Sequence, residues 1–369
     1  MAPTPKNQNR NEIYRYLYNN PGLSKQALAE KLELSIPTVG AALKALKEEG
    51  LIKYDGMLES TGGRKARAYS CDYEAKLALG MDITANHIAL VLSDMKAHIL
   101  HSERIRLKFE DKASYYKKVA EKIAAFIVES QADESKILGL GVCLAALVAP
   151  DNKTITSSRQ LGAPKDLYKK LSKVITMPFL IFNDANAGGF AEFWDMDKDR
   201  TIVYLSLNHN VGGSMVSHGK IYLGDNLKSC EFGHMTLVPD GKLCACGKKG
   251  CVNAYLSATL LSDMADGKMD DFFSYVEEGK EPFRSTFRDY RHKLAIVVNN
   301  LRMAYDCDIV LGGYVGSRMG PYLDSCREMV KERSRFQEES GFIRVCKHRY
   351  ENAAIGASLY YIDHFIRAI

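Results

Sequence analysis

Two stretches of this chain share one order of strands and turns, and that repetition constrains the fold more than anything else in the sequence. LALGMDITANHIALVLSDMKAHILHSERIRL, from Leu77 to Leu107, alternates apolar runs with turn residues and predicts strands over Leu77–Ile83, His87–Ser93 and Ala97–Leu107. A helical pattern, SYYKKVAEKIAAFIVES, follows it. TIVYLSLNHNVGGSMVSHGKIYLGD, from Thr201 to Asp225, gives strand, turn, strand, turn, strand again. Two such hairpin units inside alternating α/β sequence predict a duplicated α/β fold with a cleft between two lobes. In that architecture the turn after each first strand faces the cleft, where backbone amides can hold phosphate.

The rest of the chain is compatible with a large two-part molecule. Of 369 residues, 46% are hydrophobic and 26% charged, enough for a sizeable core. The opening MAPTPKNQNRNEIYRYLYNN is polar and lacks the pattern of a signal peptide. The longest apolar run, Ile137 to Ala149, is too short and glycine-rich to span a bilayer and reads as a buried strand. No membrane association is expected. Six of the nine cysteines are scattered singly, as expected in a reducing, cytoplasmic compartment. Charge is uneven: residues 1–70 hold 11 Lys/Arg and 7 Asp/Glu, a net of +4 out of +5 for the whole chain. A basic amino-terminal module on a near-neutral body points to a polyanionic partner.

That module has a recognisable grammar. Ile13, Tyr16 and Leu17 lie at helical spacing, and Asn20-Pro21-Gly22 stops the helix. Ser24 starts a short helix. Ser35 can cap a longer one, in which Val39, Ala42, Leu43 and Leu46 form the buried stripe and Gly50 marks the end. Leu51–Tyr54 and Arg67–Ser70 read as strands flanking a Gly62-Gly63 loop with Arg64 and Lys65. This is a winged helix-turn-helix. Its third helix offers Pro37, Thr38, Gly40, Ala41 and Lys44, mostly small residues that let the backbone approach base edges. The wing can set Arg64 and Lys65 against phosphates or in a minor groove. The plainer reading is a three-helix module that touches protein.

His234, Cys244, Cys246 and Cys251 fall within eighteen residues with the spacing x9, x, x4. One imidazole and three thiols make a closed tetrahedral zinc site with no open position for water. The alternative is a group of free thiols or a redox pair.

These features together resemble the ROK family of sugar kinases and sugar-responsive repressors, and the resemblance runs over essentially the whole chain. It implies an actin-like ATPase (ribonuclease H-like) fold behind the winged module, and it includes the zinc motif. The family's first phosphate loop, GIDIGGTK, stands here as GMDITANH, and its second, LGTGIGGG, as LNHNVGGS. Asp82, Gly212 and Gly213 remain, but most loop glycines are gone, which argues against ATP binding because a Cβ obstructs the approach of phosphate. The adenosine-side IVLGGYVG is kept. On the sugar side FNDANAGGFAE and CEFGHMTL match, which carries sugar contacts over to Asn183, Asp184, Glu231 and His234. Asn253 replaces a usual Glu, Ala145-Ala146 a usual Pro-Gly, and Gln160 a common Asn.

The expectation is therefore an α/β protein of two parts. Residues 1–72 form a winged helix-turn-helix and 73–369 a ROK domain, with lobe one at about 73–187 plus a C-terminal helix at about 352–369, and lobe two at about 188–351. Its function is expected to be that of a kinase-inactive, sugar-responsive regulator, a repressor, with operator DNA, a sugar or sugar phosphate effector, and a second copy of itself (homodimer or tetramer) as partners. One structural Zn²⁺ is expected per chain. A sugar kinase with a fused DNA-binding domain is the rival, and a DNA binder whose body only dimerises is a third reading.

Overall fold

The computed structural model describes residues 5–58, 66–158, 161–336 and 341–369. The first module comprises α1 (Pro5–Asn19), β1 (Leu23–Ser24), α2 (Lys25–Lys31), α3 (Ile36–Glu48), β2 (Ile52–Met57) and β3 (Arg67–Cys71). Ser24 Oγ accepts from Ala27 N at 3.0 Å and Ser35 Oγ from Thr38 N at 3.2 Å, so α2 and α3 both start on serine caps. The three strands pair antiparallel in the order β1–β3–β2. Two boundaries differ from the sequence reading. Helix α1 starts at Pro5, inside a polar run with no apolar stripe to announce it. Strand β2 continues to Met57, and the hairpin is carried further by a 2.9 Å bond from Leu58 N to Ala66 O. The wing residues Arg64 and Lys65, and also Gln160, lie outside the described residues.

The body builds one sheet twice. The first lobe holds β4 (Leu77–Ile83), β5 (His87–Ser93), β6 (Ile99–Arg106), α4 (Ala113–Glu129), β7 (Ile137–Leu144), the small hairpin β8 (Leu147–Val148) and β9 (Ile155–Ser157), α5 (Leu167–Leu171) and β10 (Phe179–Asn183). Helix α6 (Asp184–Phe193) leads to the second, with β11 (Thr201–Leu207), β12 (Val211–Ser217) and β13 (Lys220–Ile221). There follow α7 (Asn253–Leu256), α8 (Thr259–Ser262), α9 (Met269–Glu277), α10 (Phe283–Tyr305), β14 (Asp308–Gly312), α11 (Gly313–Gly316), α12 (Leu323–Lys331), β15 (Ile343–Val345) and α13 (Asn352–Ala368). The sheets run β10–β7–β4–β5–β6 and β15–β14–β11–β12–β13. In each, the first three strands meander antiparallel and the last two add parallel to the first. The repeat seen in the sequence is thus a repeat of topology. The apolar run to Ala149 is not one strand: β7 stops at Leu144, and Ala146 N folds back onto Leu144 O at 2.8 Å.

Helices α6 and α13 cross between the lobes. The crossing is close, for a Cβ at Gly356 would lie 1.7 Å from the carbonyl oxygen of Ala187. Helix α6 runs through residue 187 unbroken, so the lobes meet along a helix and not at a loop.

The winged module shares its core with the body. Ile13, Tyr14 and Leu17 of α1 belong to one buried cluster with Met95, Ala191, Trp194, Ile355 and Ile362. The Arg15 guanidinium donates to the carbonyls of Ile366, Arg367 and Ile369 at 3.2, 2.6 and 3.0 Å, capping the last turn of α13. Tyr73 OH donates to Tyr18 O at 3.1 Å. The two modules are packed together across residue 72, not tethered by a linker.

Candidate functional site

A cavity of about 400 Å³ opens between the lobes, within the range of small-molecule sites. Asp184 lines it. Asn183 caps α6, its Oδ1 accepting from Asn186 N at 2.8 Å while its Nδ2 donates to Ala146 O at 3.0 Å. This places Asp184 in the first helical turn, where negative charge is favoured, with Oδ1 accepting from Ala185 N at 2.9 Å. Burial pushes the Asp184 pKa up, backbone amides oppose it, and the charge of Glu231 adds to the rise. Asp82, at the end of β4, shares the cavity. Burial first, and Asp184 second, push its pKa up to about 7. A carboxyl that is partly protonated at neutral pH both accepts and donates, which suits hydroxyl ligands.

The turns after β4 and β11 are held by hydrogen bonds of their own side chains. Thr84 Oγ1 donates to His87 O at 3.0 Å and accepts from His87 N at 3.1 Å. Asn208 Oδ1 accepts from Tyr314 N at 2.9 Å, and its Nδ2 donates to Ser206 Oγ at 3.0 Å. His209 Nδ1 lies 3.2 Å from Thr259 Oγ1, with its ring 5.3 Å from that of Tyr314. Asn253 is buried and holds the second turn from behind: it accepts from Val211 N at 2.7 Å and donates to Asn210 Oδ1 at 3.3 Å. A glutamate could not make that donation, so the Asn253 replacement belongs to the rebuilt turn. Gly213 persists for packing, since a Cβ there would lie 2.3 Å from the Phe232 ring.

Glu231 and His234 sit at the ends of one short turn, exposed and outside the cavity lining, 3.9 Å apart between carboxylate oxygen and Nε2. The same turn joins the thiols. Donor atoms of His234, Cys244, Cys246 and Cys251 all lie within 4.8 Å of one another. Cys246 Sγ and Cys251 Sγ are 3.7 Å apart. Thiolates about 2.3 Å from a tetrahedral ion would stand about 3.8 Å apart, so the donor set fits a four-coordinate metal.

On α3, Pro37, Ala41 and Lys44 are exposed and Thr38 and Gly40 half-buried. The Thr38 hydroxyl lies 2.8 Å from Ser35 Oγ, and so takes part in the helix cap. Beside this face, Lys47 Nζ sits 3.5 Å over the Tyr54 ring, with the Arg67 guanidinium 4.9 Å from the same ring. Lys47 and Tyr54 were not singled out from the sequence. The available signal was a basic last turn followed at once by an aromatic strand.

Comparison with known proteins places these features. The sequence profile of the ROK family matches residues 78–364, and that of winged helix-turn-helix DNA-binding matches residues 6–53. The xylose repressor of Bacillus subtilis (strain 168) is 23% identical over 373 residues, covering 99% of this chain and 97% of its own. The N-acetylmannosamine kinase of Shigella boydii is 29% identical over 203 residues, covering 52% of this chain and 68% of its own. A solved ROK family transcriptional regulator, homologous to the Mlc protein of E. coli, aligns with TM-score 0.75 at 18% identity over 98% and 96% of the two chains, which shows the shared fold.

Proposed function

The chain belongs to the ROK family, and on that footing we propose that it is a sugar-responsive, DNA-binding transcriptional repressor of carbohydrate metabolism without phosphotransfer activity. The observation that carries this reading is helix α6, which has Asp184 in the cleft at one end and Ala191 and Trp194 in the winged module's core at the other. A ligand that changes the lobe angle must move that core, provided it binds one state better than the other. The xylose repressors match this chain over nearly its full length, winged module included.

Pro37, Thr38, Gly40, Ala41 and Lys44 are taken to face the operator, with Arg64 and Lys65 on the wing. Asn183, Asp184, Glu231 and His234 are taken to meet the sugar or sugar phosphate. A homodimer, or a tetramer of two dimers, would place two winged modules on the half-sites of a palindrome. One Zn²⁺ held by His234, Cys244, Cys246 and Cys251 would supply a structural cross-link that fixes the Glu231 turn. All nine cysteines are unpaired, in keeping with a reducing cytoplasm, and among the described residues no helix is long and apolar enough to cross a membrane.

The kinase reading has in its favour Asp184 in the cavity, the kept IVLGGYVG stretch and the likeness to N-acetylmannosamine kinase. Against it stand Thr84, Asn208 and Asn253, whose side chains already accept from the backbone amides of His87, Tyr314 and Val211. A coupled assay of ATP consumption over a panel of sugars should give no turnover. Kinase-like turnover abolished by Asp184→Asn would overturn this reading.

A further inference from the structure

Two carboxyls, Asp82 and Asp184, line the cleft. With them stands a cluster of guanidiniums and phenols. Arg104 of β6 donates to Tyr314 OH at 3.2 Å, reaching from the first lobe to the second. The ring of Tyr350 lies 5.1 Å from the Arg104 guanidinium and 4.9 Å from that of Arg349. Tyr314, Arg349 and Tyr350 line the cavity itself.

The charge of this cluster is not cancelled. Arg318 and Arg349 both bond Asp270, one carboxylate between two cations. Arg104 makes no ion pair among the described residues. Two guanidiniums thus share Asp270, and Arg104 has Asp82 as its nearby carboxyl without an ion pair. Burial raises the pKa of Asp82, to about 7, and that of Asp184, which weakens their negative charge beside this cluster at neutral pH. Phenol hydroxyls beside guanidiniums donate to the same acceptor oxygens, and charge-assisted bonds of this kind are about twice as strong as neutral ones.

We propose that Arg104 and Arg349, with Tyr314 and Tyr350, form an anion subsite, and that the effector is an acidic carbohydrate whose hydroxyls meet Asp184 and whose phosphate ester or carboxylate meets this cluster. The inference rests on the carbohydrate-effector reading above and adds the class of ligand. Binding would join Arg104 of one lobe to Arg349 of the other through the ligand, so the acidic group closes the cleft. A uronate and a sugar phosphate share this chemistry and differ in charge.

Calorimetry on the full-length protein at low salt tests it with glucose, glucose 6-phosphate and glucuronate, and with N-acetylmannosamine and its 6-phosphate. The expected result is that an acidic member binds at least tenfold more tightly than its neutral parent, with the phosphate or the uronate arm identifying the anion. Arg104→Gln and Arg349→Gln should each cost the acidic ligand at least tenfold more affinity than they cost the parent, and Arg104→Lys should retain most of the preference. Equal or tighter binding of the neutral parent overturns the subsite alone, as does an equal loss for both ligands in Arg104→Gln, which would make Arg104 only a latch between lobes. Binding by no member of either class would overturn the subsite together with the carbohydrate reading.

Discussion

Asp184 and Trp194 stand at the two ends of α6: the first lines the cleft, and the second, at the helix C-cap, is buried in the core that α1 shares with α13. Ten residues of helix span about 15 Å. The cleft and the core shared with the winged module are thus linked by one continuous helix.

That connection depends on close backbone packing at the α6–α13 crossing. Gly356→Ala would drive a Cβ to 1.7 Å from the Ala187 carbonyl oxygen, and backbone on both sides leaves nothing flexible to yield. We expect a loss of about 1–3 kcal/mol of stability, read as a lower denaturant midpoint at unchanged slope. A midpoint equal to wild type would show that the crossing is looser than described.

The metal prediction concerns composition and stability. Protein purified without added zinc should carry about one equivalent per chain, as a closed four-ligand site retains its ion. Cys251→Ser, in the buried half of the site, should lose the metal and lower the melting temperature. A stable, metal-free Cys251→Ser protein would contradict a structural role.

On DNA, two residues of α3 should behave differently. Lys44 is exposed, with only a 3.8 Å contact to Glu48, so Lys44→Ala should weaken operator and random duplexes alike and reduce the salt slope by about one. The Thr38 hydroxyl is engaged in the Ser35 cap, and Thr38→Val should cost both operator discrimination, on the order of 1–3 kcal/mol if it meets a base, and some helix stability. Gel-shift titrations at two salt concentrations separate these effects. Unchanged binding by both variants would make the module a protein-interaction domain.

Asp82 gives a pH signature. Its pKa in the folded protein is about 7, against 3.8 ordinarily, so the folded state binds the extra proton between those values. Stability attributable to this group is present below about pH 4 and is lost as pH rises toward 7. Asp82→Asn removes the loss and should raise the melting temperature more at pH 8 than at pH 5. An equal gain at both pH values would show that Asp82 titrates normally.

Much of this was legible in the sequence because it depends on local pattern. The hairpin repeat foretold the duplicated sheet, Ser24 and Ser35 foretold the helix starts, and the His-x9-Cys-x-Cys-x4-Cys spacing foretold donors that converge. What escaped depends on contacts distant in sequence. Arg15 capping Ile366, Arg104 reaching Tyr314, and the core joining Leu17 to Ile362 link residues hundreds of positions apart, and no periodicity encodes such partners. Asn253 was visible as a departure, but its meaning needed Asn210 and Val211 beside it. Nor did the sequence place Glu231 and His234 outside the lining of the main cavity, because a motif fixes residue order and not the direction a turn faces.

The account's central claim is that occupation of the cleft at Asp184 controls DNA binding by the winged module. Fluorescence anisotropy of the full-length protein on a duplex selected from a random pool, with and without the sugar or sugar phosphate that binds it, tests this most directly in wild type and Asp184→Asn. Wild type should lose at least about tenfold in DNA affinity at saturating ligand, within the usual range of coupling energies. Asp184→Asn should bind the duplex as wild type does and keep that affinity when ligand is added. Release of Asp184→Asn from DNA at the same ligand concentration as wild type would contradict the account.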